Sequence, residues 1–248
     1  ATSSLHATSS NAPGSAAAKT SSISYFYKHL RMQAAGRGML GFAELKTVDM
    51  QTGIVTETKY RQDWPYIGSP AETLTKTHDG QLLSSAVNSW NRKTYATSTS
   101  KRYQPYIEKT VEKSYAWNSD GSVSTSPLQT VTTNTALVGD EYGNVGELTV
   151  TTEGSGQTLV QKTVNEYGTS AWEKQMGRLK SATVTTTRNG VADTARKVSF
   201  EYHTAAPHKG LLWKEIVAEG TADQLVTAYS YDAFGNKTEV AVTGKSNA

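Results

Sequence analysis

Apolar and polar residues alternate with a period of two along most of the chain beyond residue 22. Successive side chains of a strand point to opposite faces of a sheet, so this alternation predicts strands with one face on a core and one toward water, as in antiparallel sheets. The pattern is clearest in four segments, residues 54–60, 147–152, 197–202 and 238–242. The chain is therefore expected to be all-β.

Short turn signals separate these segments: Thr52-Gly53, Asp79-Gly80, Asp120-Gly121 and Asn189-Gly190. Asp-Gly and Asn-Gly pairs adopt positive φ at low cost and match the twist of tight hairpin loops. We therefore predict a meander of antiparallel hairpins. The exception is Ser170-Ala171-Trp172-Glu173, which fits a helix capping box. Because Gly177 follows closely, any helix there is short.

The first 22 residues differ from the rest, since they are rich in Ala, Ser and Thr and contain almost nothing large. Such a segment cannot offset its ordering entropy by burial. We predict a disordered or linker lead-in over residues 1–22, with a short alanine helix as the alternative. No apolar core of a signal peptide is present and no apolar run approaches the ~18 residues of a membrane span. We expect a piece of a longer protein.

The remaining composition narrows the function. The chain has 248 residues, a formal charge of +3 and no cysteine, so thiol chemistry and disulfides are excluded. Basic and acidic residues are interspersed along the sequence, which argues against nucleic acid as a partner. The 13 tyrosines, against four phenylalanines, suit sheets whose rings pack while their hydroxyls stay hydrated.

Candidate chemistry is sparse. His203 and His208 are the only histidines near each other in sequence, and two ligands without a third do not make a zinc site, so we expect surface-loop histidines. Gly36-Arg37-Gly38 lacks the Lys-Ser/Thr ending of a phosphate loop, and we expect Arg37 to pair with a carboxylate or carbonyls in the sheet. The flanking glycines suggest a bulge or close backbone approach. We predict no catalytic, cofactor-binding or metal site, and no enzyme.

The most specific pattern is a tyrosine-rich turn near the end of the chain, formed by Tyr229, Tyr231, Asp232, Gly235 and Asn236. Asp232 can accept backbone N–H groups just ahead of it, while Gly235 and Asn236 tolerate the left-handed region. A weaker copy is Tyr142-Gly143-Asn144, and thinner ones lie at Tyr167-Gly168 and Tyr202. A recurring unit indicates a structure built by repetition. Sugar binding by exposed tyrosine and tryptophan rings is the alternative use.

The turn resembles the YD repeat of the Rhs and teneurin families. Upstream, a block containing Gly36, Arg37, Gly38, Gly41 and Phe42, followed by residues 60–68 and 80–84, resembles the middle segment of the B component (TcB/SpvB-type) of bacterial insecticidal Tc toxins. Met39 stands where the familiar form of that block has Phe. On this resemblance, residues 23–135 form a Tc-toxin-B-middle-like region and residues 136–248 a YD/Rhs-repeat region.

The resemblance implies a fold and a role. Rhs and Tc B/C proteins form a hollow shell from a strip of antiparallel sheet, and a toxic C-terminal effector is held inside until delivery. This chain would be a non-catalytic piece of that curved wall, secreted as part of a virulence complex, without cofactors. Its partners would be the remainder of the shell, the effector and a pore-forming component. The alternative is a β module that binds a glycan or another cell-surface partner.

Overall fold

The structure, a computed structural model, describes residues 2–8, 20–96, 98–134 and 142–244. About 60% of it is strand and 2% helix, and the pairings between strands are antiparallel, which confirms the predicted all-β meander. The chain divides into two units. Unit 1 contains residues 1–132 and 152–156, and unit 2 contains residues 133–151 and 157–248.

The strands up to residue 134 follow one another as hairpins. They are β1 (Thr2–Thr8), β2 (Thr20–Lys28), β3 (Arg31–Gln33), β4 (Gly38–Gly41), β5 (Glu44–Asp49), β6 (Val55–Tyr60), β7 (Pro70–Lys76), β8 (Leu82–Ala96), β9 (Lys101–Ser114) and β10 (Leu128–Asn134). In the sheet, the order is β1-β2-β5-β6-β7-β8-β9-β10, which is the order along the chain. The hairpin β3–β4 stands apart as a separate two-stranded sheet.

The later strands repeat this arrangement. They are β11 (Glu147–Gly154), β12 (Gln157–Tyr167), β13 (Leu179–Arg188), β14 (Val191–Ala192), β15 (Arg196–Tyr202), β16 (Leu212–Val217), β17 (Leu225–Tyr231) and β18 (Lys237–Gly244). Their order is β11-β12-β13-β15-β16-β17-β18, with β14 paired to β13. Within each series, a strand therefore pairs with the next one along the chain, because the short turns leave no length for a crossover. The exceptions are β2, which pairs with β5 past the β3–β4 hairpin, and β13, which also pairs with β15 past β14.

The predicted turns and the predicted helix are confirmed. The glycine of each turn signal has positive φ, at Gly53 (71°), Gly80 (89°), Gly121 (80°) and Gly190 (82°). The helix α1 spans Ala171–Gln175 with Ser170 as its N-cap. The backbone N–H of Ser170 donates to the Glu173 carboxylate at 3.0 Å, as in a capping box. Gly177 follows with φ of 62°.

The lead-in differs from the prediction where the structure describes it. Thr2–Thr8 form β1, which pairs antiparallel with β2 from Thr2 opposite Phe26 to Thr8 opposite Thr20. Backbone groups alone form such a ladder, so a segment without large side chains can join an open sheet edge. Residue 1 and residues 9–19 of the predicted linker lie outside the described residues. The family labels given to residues 23–135 and 136–248 stay predictions.

Burial is shallow in both units. Among the described residues, the buried apolar side chains are Leu40, Tyr66 and Ile216, and no side chain is less than 2% exposed. Apolar strand residues such as Val164 (39% exposed) and Val240 (52%) keep much of their surface in water. The expectation that each strand has one face on a core is therefore wrong. Backbone pairing and contacts between neighbouring strands replace a deep core as the source of order.

Candidate functional site: the tyrosine corners

The tyrosine-rich turn joins β17 to β18 and is held by the Asp232 side chain. Asp232 Oδ1 accepts the backbone N–H groups of Phe234 and Asn236, both at 2.9 Å. The Asn236 side-chain amide donates to Asp232 Oδ2, also at 2.9 Å, and this bond together with the backbone bonds lowers the pKa of Asp232. Gly235 has the predicted positive φ, 84°. Asn236 does not use the left-handed region and acts through its amide.

The last tyrosine of each repeat reaches back to a backbone carbonyl about 20 residues earlier in the chain. Tyr231 donates its hydroxyl proton to the Leu212 carbonyl at 2.8 Å, Tyr202 to the Leu179 carbonyl at 3.0 Å, and Tyr167 to the Val145 carbonyl at 3.0 Å. Each tyrosine is the final residue of its strand, and the register to the next strand shifts immediately before it. We call this arrangement a tyrosine corner.

The loop that follows each corner is closed by one common hydrogen bond. The residue after the tyrosine donates its N–H to the residue just before the next strand: Gly168 to Arg178, His203 to Leu211 and Asp232 to Asn236, at 2.9–3.0 Å. The loops differ in length, but the closing bond and the tyrosine hydroxyl bond are the same. Because the loops differ in length, the spacing between successive corner tyrosines in the sequence is uneven.

Unit 1 contains a related strand end that the sequence did not reveal. The register of β6 against β7 shifts just before Tyr60, the last residue of β6, and the Arg61 N–H donates to the Ser69 carbonyl at 2.9 Å. No Asp or Gly-Asn pair follows Tyr60 at the positions used by the later turn, so the motif was not recognisable there. The hydrogen-bonding pattern, rather than the turn residues, relates this loop to the others.

The histidines lie in a corner, contrary to the expectation of surface-loop residues. The rings of His203 and His208 are half-buried, with centroids 6.0 and 5.9 Å from that of Tyr231. His208 Nε2 lies 2.7 Å from the Asp232 carbonyl oxygen, to which it donates as the Nε2–H tautomer. The loop between β15 and β16 therefore packs against the turn between β17 and β18. The sequence offered no signal for this contact.

The weaker copy of the motif has a different place. Gly143 has φ of 87°, and the Asn144 side-chain amide donates to the Lys174 carbonyl in α1 at 2.6 Å. Tyr142 precedes them in a turn rather than at a strand end, while Asp140 and Glu141 lie outside the described residues. Asn144 of this copy therefore satisfies a carbonyl of the short helix.

Tyr229 lies in β17, two residues before the corner. Its hydroxyl donates to Glu215 at 3.3 Å, and Lys237 Nζ lies 4.1 Å from the centre of its ring. Burial, with the nearby Glu215 charge, raises the pKa of Tyr229, and burial raises that of Tyr202. Both hydroxyls therefore remain protonated donors at neutral pH, as hydrogen bonding to these acceptors requires.

The upstream block forms the separate hairpin β3–β4. Gly36, Gly38 and Gly41 all have positive φ, and a side chain at any of them would meet no atom within 4 Å. These glycines therefore serve the backbone conformation of the hairpin, and close approach of another atom to them is excluded. The predicted bulge lies between Arg31 and Met32. The Gln62 amide ties the base of the hairpin by donating to the His29 and Gly41 carbonyls. Those bonds measure 2.8 and 2.7 Å.

Two side chains of the block make aromatic contacts. Phe42 packs on Tyr27 with ring centroids 4.9 Å apart. The Arg37 guanidinium lies 4.0 Å from the centre of the Trp64 ring. The predicted pairing of Arg37 with a carboxylate or carbonyls is therefore wrong. Stacking on an aromatic face is a favourable alternative for an exposed guanidinium, since the ring quadrupole attracts the cation.

The described residues present little catalytic chemistry. A cavity of about 330 Å³ in unit 2 is bordered by Arg178, Tyr202 and Trp213. Its carboxylates are engaged elsewhere, Glu201 with Lys214 at 3.7 Å and Glu173 with the N-cap of α1. Among the residues that the structure describes, no three potential ligands gather as a metal ion requires. Nor does any described helix have the length and apolar character needed to cross a bilayer.

The tryptophans lie in separate local contacts. Trp64 and Trp213 each have a cation over the ring, Arg37 at 4.0 Å and Lys214 at 3.8 Å, and the Trp90 indole N–H donates to the Pro70 carbonyl at 2.8 Å. Rings used in this way do not form a shared stacking platform. The carbohydrate-binding alternative stays a prediction, and a glycan array probed with the isolated chain would test it.

Comparison with known proteins shows the fold. No family model and no curated protein matches the sequence. Three crystal structures of the Tc toxin complex TcdB2-TccC3 are similar. The one with Cdc42 has a TM-score of 0.60 and 8% identity over 85% of this chain. The structure without the hypervariable C-terminal region has a TM-score of 0.62 and 8% identity over 90% of this chain. The structure of TcdB2-TccC3 alone has a TM-score of 0.60 and 9% identity over 90% of this chain.

This chain spans only 15–18% of the length of those proteins. At such low identity, the likeness concerns the path of the backbone and not the identity of side chains. The class of structure is nevertheless defined: the chain has a Tc-toxin-like shell fold. The particular similarity is to a segment of TcdB2-TccC3.

Proposed function

We propose that this chain is a non-catalytic wall segment of an Rhs/Tc-toxin-like shell that encloses and protects a toxic effector before delivery. The observation that carries the proposal is the backbone match to TcdB2-TccC3, with TM-scores of 0.60–0.62 over 85–90% of the chain. The match covers both units, as the resemblance of the upstream block and the tyrosine-rich turn would require.

The local architecture supports a wall. Each unit extends by placing one hairpin beside the next, so every added strand satisfies the backbone groups of its neighbour without needing a second layer. Shallow burial on both faces is what a sheet with space on each side produces. The tyrosine corners are the YD units of this proposal, and β3–β4 is part of the segment that resembles the middle of the toxin B component.

The proposal includes partners and location. The chain would be secreted within a toxin complex, where it contacts the remainder of the shell and its C-terminal effector. A pore-forming component would receive the assembled shell. The chain itself would do no bond-breaking chemistry; the described carboxylates of Asp232, Glu173 and Glu201 are engaged in a turn, a helix cap and an ion pair.

Expression of the complete reading frame that encodes this chain tests encapsulation. Electron microscopy of the product should show a hollow particle with this chain in its wall. Protease should spare the effector segment until the shell is opened with denaturant, whereas the separately expressed effector should be digested at once. A solid particle, or an effector equally sensitive in both forms, would overturn the proposal.

A substrate screen tests the absence of catalysis. The purified chain should give no turnover with general esterase, glycosidase and phosphatase substrates. Turnover that one carboxylate or serine replacement abolishes, while folding is unchanged, would show that the chain is an enzyme.

A further inference from the structure

Unit 1 has two long stretches without any acidic residue. Residues 29–43 and 80–107 contain no Asp or Glu, although the first stretch includes two Arg and the second includes two Arg and two Lys residues. The first stretch contains the β3–β4 hairpin, and the second contains most of the β8–β9 hairpin. Along the sequence these cations look interspersed with acids, because acidic segments lie between the two stretches. In the fold, Trp64 contacts both hairpins.

Trp64, in the loop between β6 and β7, links the two hairpins through a row of stacked cations and rings. Arg37, in the turn between β3 and β4, covers the Trp64 ring at 4.0 Å, and the Trp64 ring meets the edge of Tyr103 with centroids 6.2 Å apart. Arg92 lies 5.6 Å from the Tyr103 centroid on the neighbouring strand. We call these four residues the cationic stack.

The same face of the β8–β9 hairpin carries a further cation. Register pairs Arg92 with Pro105, Thr94 with Tyr103 and Ala96 with Lys101, so alternate residues place Arg92, Tyr103 and Lys101 on one face. Arg37, Arg92 and Lys101 are all exposed. The rings hold the guanidinium groups in place while their N–H donors remain available to oxyanions.

The acid beside the stack is already neutralised. Asp63 accepts two hydrogen bonds from Arg61, at 2.9 and 2.6 Å, and the Arg61 guanidinium lies 3.8 Å from the centre of the Tyr66 ring. The bond from Arg61 keeps the pKa of Asp63 below its ordinary value, so this carboxylate stays charged and paired. Arg37, Arg92 and Lys101 therefore form a local excess of positive charge.

Exposed apolar side chains lie in or next to the hairpin that carries Arg37. Met32 and Met39 are opposite each other in β3–β4 and are 73% and 67% exposed, and Leu30 at the entry to the hairpin is 54% exposed. Leu40, next to Met39, is buried at 8% exposed. One side of the hairpin therefore packs on unit 1 and the other presents methionines to solvent. Neither composition nor the stack explains why these methionines are left uncovered.

We propose that this surface, formed by the cationic stack, Lys101, Met32 and Met39, binds the surface of a bilayer that contains anionic lipids. Clustered cations attract acidic headgroups, and adjacent apolar side chains enter the boundary of the acyl chains. The inference goes beyond the proposed wall function and does not depend on it.

Two other polyanions fit less well. Single-stranded nucleic acid is bound through open aromatic faces on which bases stack, whereas Arg37 and Arg92 cover the rings of Trp64 and Tyr103. A sulfated polysaccharide would match the cations but would leave Met32 and Met39 unused. A lipid surface accounts for both the charge and the methionines.

Vesicle co-sedimentation with the 248-residue chain tests the proposal. The chain should bind vesicles in which about a third of the phosphatidylcholine is replaced by phosphatidylserine, and should bind pure phosphatidylcholine at least tenfold more weakly. Binding should fall when salt is raised from about 0.1 to about 0.5 M. The double variant Arg92→Gln/Lys101→Gln should bind acidic vesicles about 25-fold more weakly, since each cation near such a surface contributes about fivefold.

Matched variants separate charge from apolar insertion. Arg188→Gln/Arg196→Gln removes two exposed cations from unit 2 and should leave binding within about twofold of wild type, since these cations lie outside the proposed surface. Met32→Ser/Met39→Ser should weaken vesicle binding several-fold but leave retention on a heparin column unchanged.

Three outcomes would overturn the proposal: no vesicle binding by a folded chain, equal loss in both charge variants, or vesicle binding that the methionine variant keeps in full. Heparin binding without vesicle binding would assign the surface to a sulfated polysaccharide instead. Circular dichroism of each variant confirms that it is folded before binding is compared.

Discussion

The two units keep neighbouring strands together by different side-chain contacts. In unit 1, opposite charges face each other along the strands: Lys28 with Glu44 at 3.1 Å, Lys59 with Glu72 at 2.6 Å, and Glu57 with both Lys76 at 2.6 Å and Lys46 at 3.7 Å. In unit 2, tyrosine corners fix the strand ends through Tyr167, Tyr202 and Tyr231. Ion pairs occur there too, but singly, as between Lys162 and Glu147.

Ion pairs and tyrosine corners differ in how much they stabilise a strand pair and in how closely they specify where a strand ends. An exposed ion pair contributes about 0–1 kcal/mol, because water and salt screen it. A half-buried tyrosine contributes about 1–1.5 kcal/mol through its ring, roughly half of what full burial gives, and its hydrogen bond contributes about 1 kcal/mol more. The corners also specify where a strand ends, whereas a ladder of charges only favours one register. Because neither unit has a deep core, we expect the tyrosine corners to dominate the stability of unit 2.

The largest effect should follow loss of a corner ring. Tyr202→Ala removes a half-buried ring and its bond to Leu179, and should lower the free energy of opening of unit 2 by about 2–4 kcal/mol. Tyr202→Phe keeps the ring and should cost about 1 kcal/mol. Hydrogen exchange of peptides covering β15 and β16 measures both. Tyr103→Phe in unit 1 is the control and should change little. If Tyr202→Ala opened no more easily than Tyr202→Phe, the ring would not be the source of stability.

A smaller loss is expected at the turn between β17 and β18. Gly235 has φ of 84°, so Gly235→Ala should cost about 1–2 kcal/mol from the left-handed backbone alone, because its new side chain would meet only ordinary contacts. Gly244→Ala is the matched control, since that glycine lacks a positive φ and has open space around it. Urea unfolding of the three proteins gives the comparison. Equal midpoints for both variants would show that φ at Gly235 carries no strain.

Acid should loosen the same turn. Hydrogen bonds lower the pKa of Asp232 in the folded chain, so the carboxylate stabilises the turn above its ordinary pKa of 3.8, and this contribution is lost as pH falls through the lowered value. Hydrogen exchange of residues 231–237 should quicken, relative to β13, once the pH drops below about 4. Asp232→Asn should remove much of this pH dependence. If the wild-type turn kept the same protection relative to β13 at neutral pH and below about pH 4, the Asp232 carboxylate would not be what stabilises it.

The smallest effect should come from the charge ladder of unit 1. Glu57→Gln removes the partner of both Lys46 and Lys76, yet should cost less than about 1 kcal/mol, and less again at high salt. Glu112→Gln, on an exposed position of β9, is the control. Urea unfolding at low and high salt measures the difference. A loss at Glu57 as large as that at Tyr202 would remove the distinction between the two units.

Much of the fold was predictable because it depends on neighbours in sequence. The alternation in residues 197–202 predicts β15, the Asn189-Gly190 pair predicts the turn from β13 into β14, and Ser170 with Glu173 predicts α1. At the candidate site, the bonds of Asp232 and the φ of Gly235 follow from turn chemistry within five residues. The strand β1 escaped prediction, because backbone pairing to an open edge leaves no mark on composition.

The sequence by itself determined the strands, their turns and the short helix, since these depend on side-chain period and local backbone preference. Only the tertiary structure decided what the functional side chains touch. The hydroxyl of Tyr202 meets a carbonyl 23 residues away, and His208 meets Asp232 across 24 residues. Arg37 lies over Trp64 rather than in an ion pair, and Trp64 also contacts Tyr103 of the β8–β9 hairpin. Such contacts join distant segments, and a local pattern does not record them.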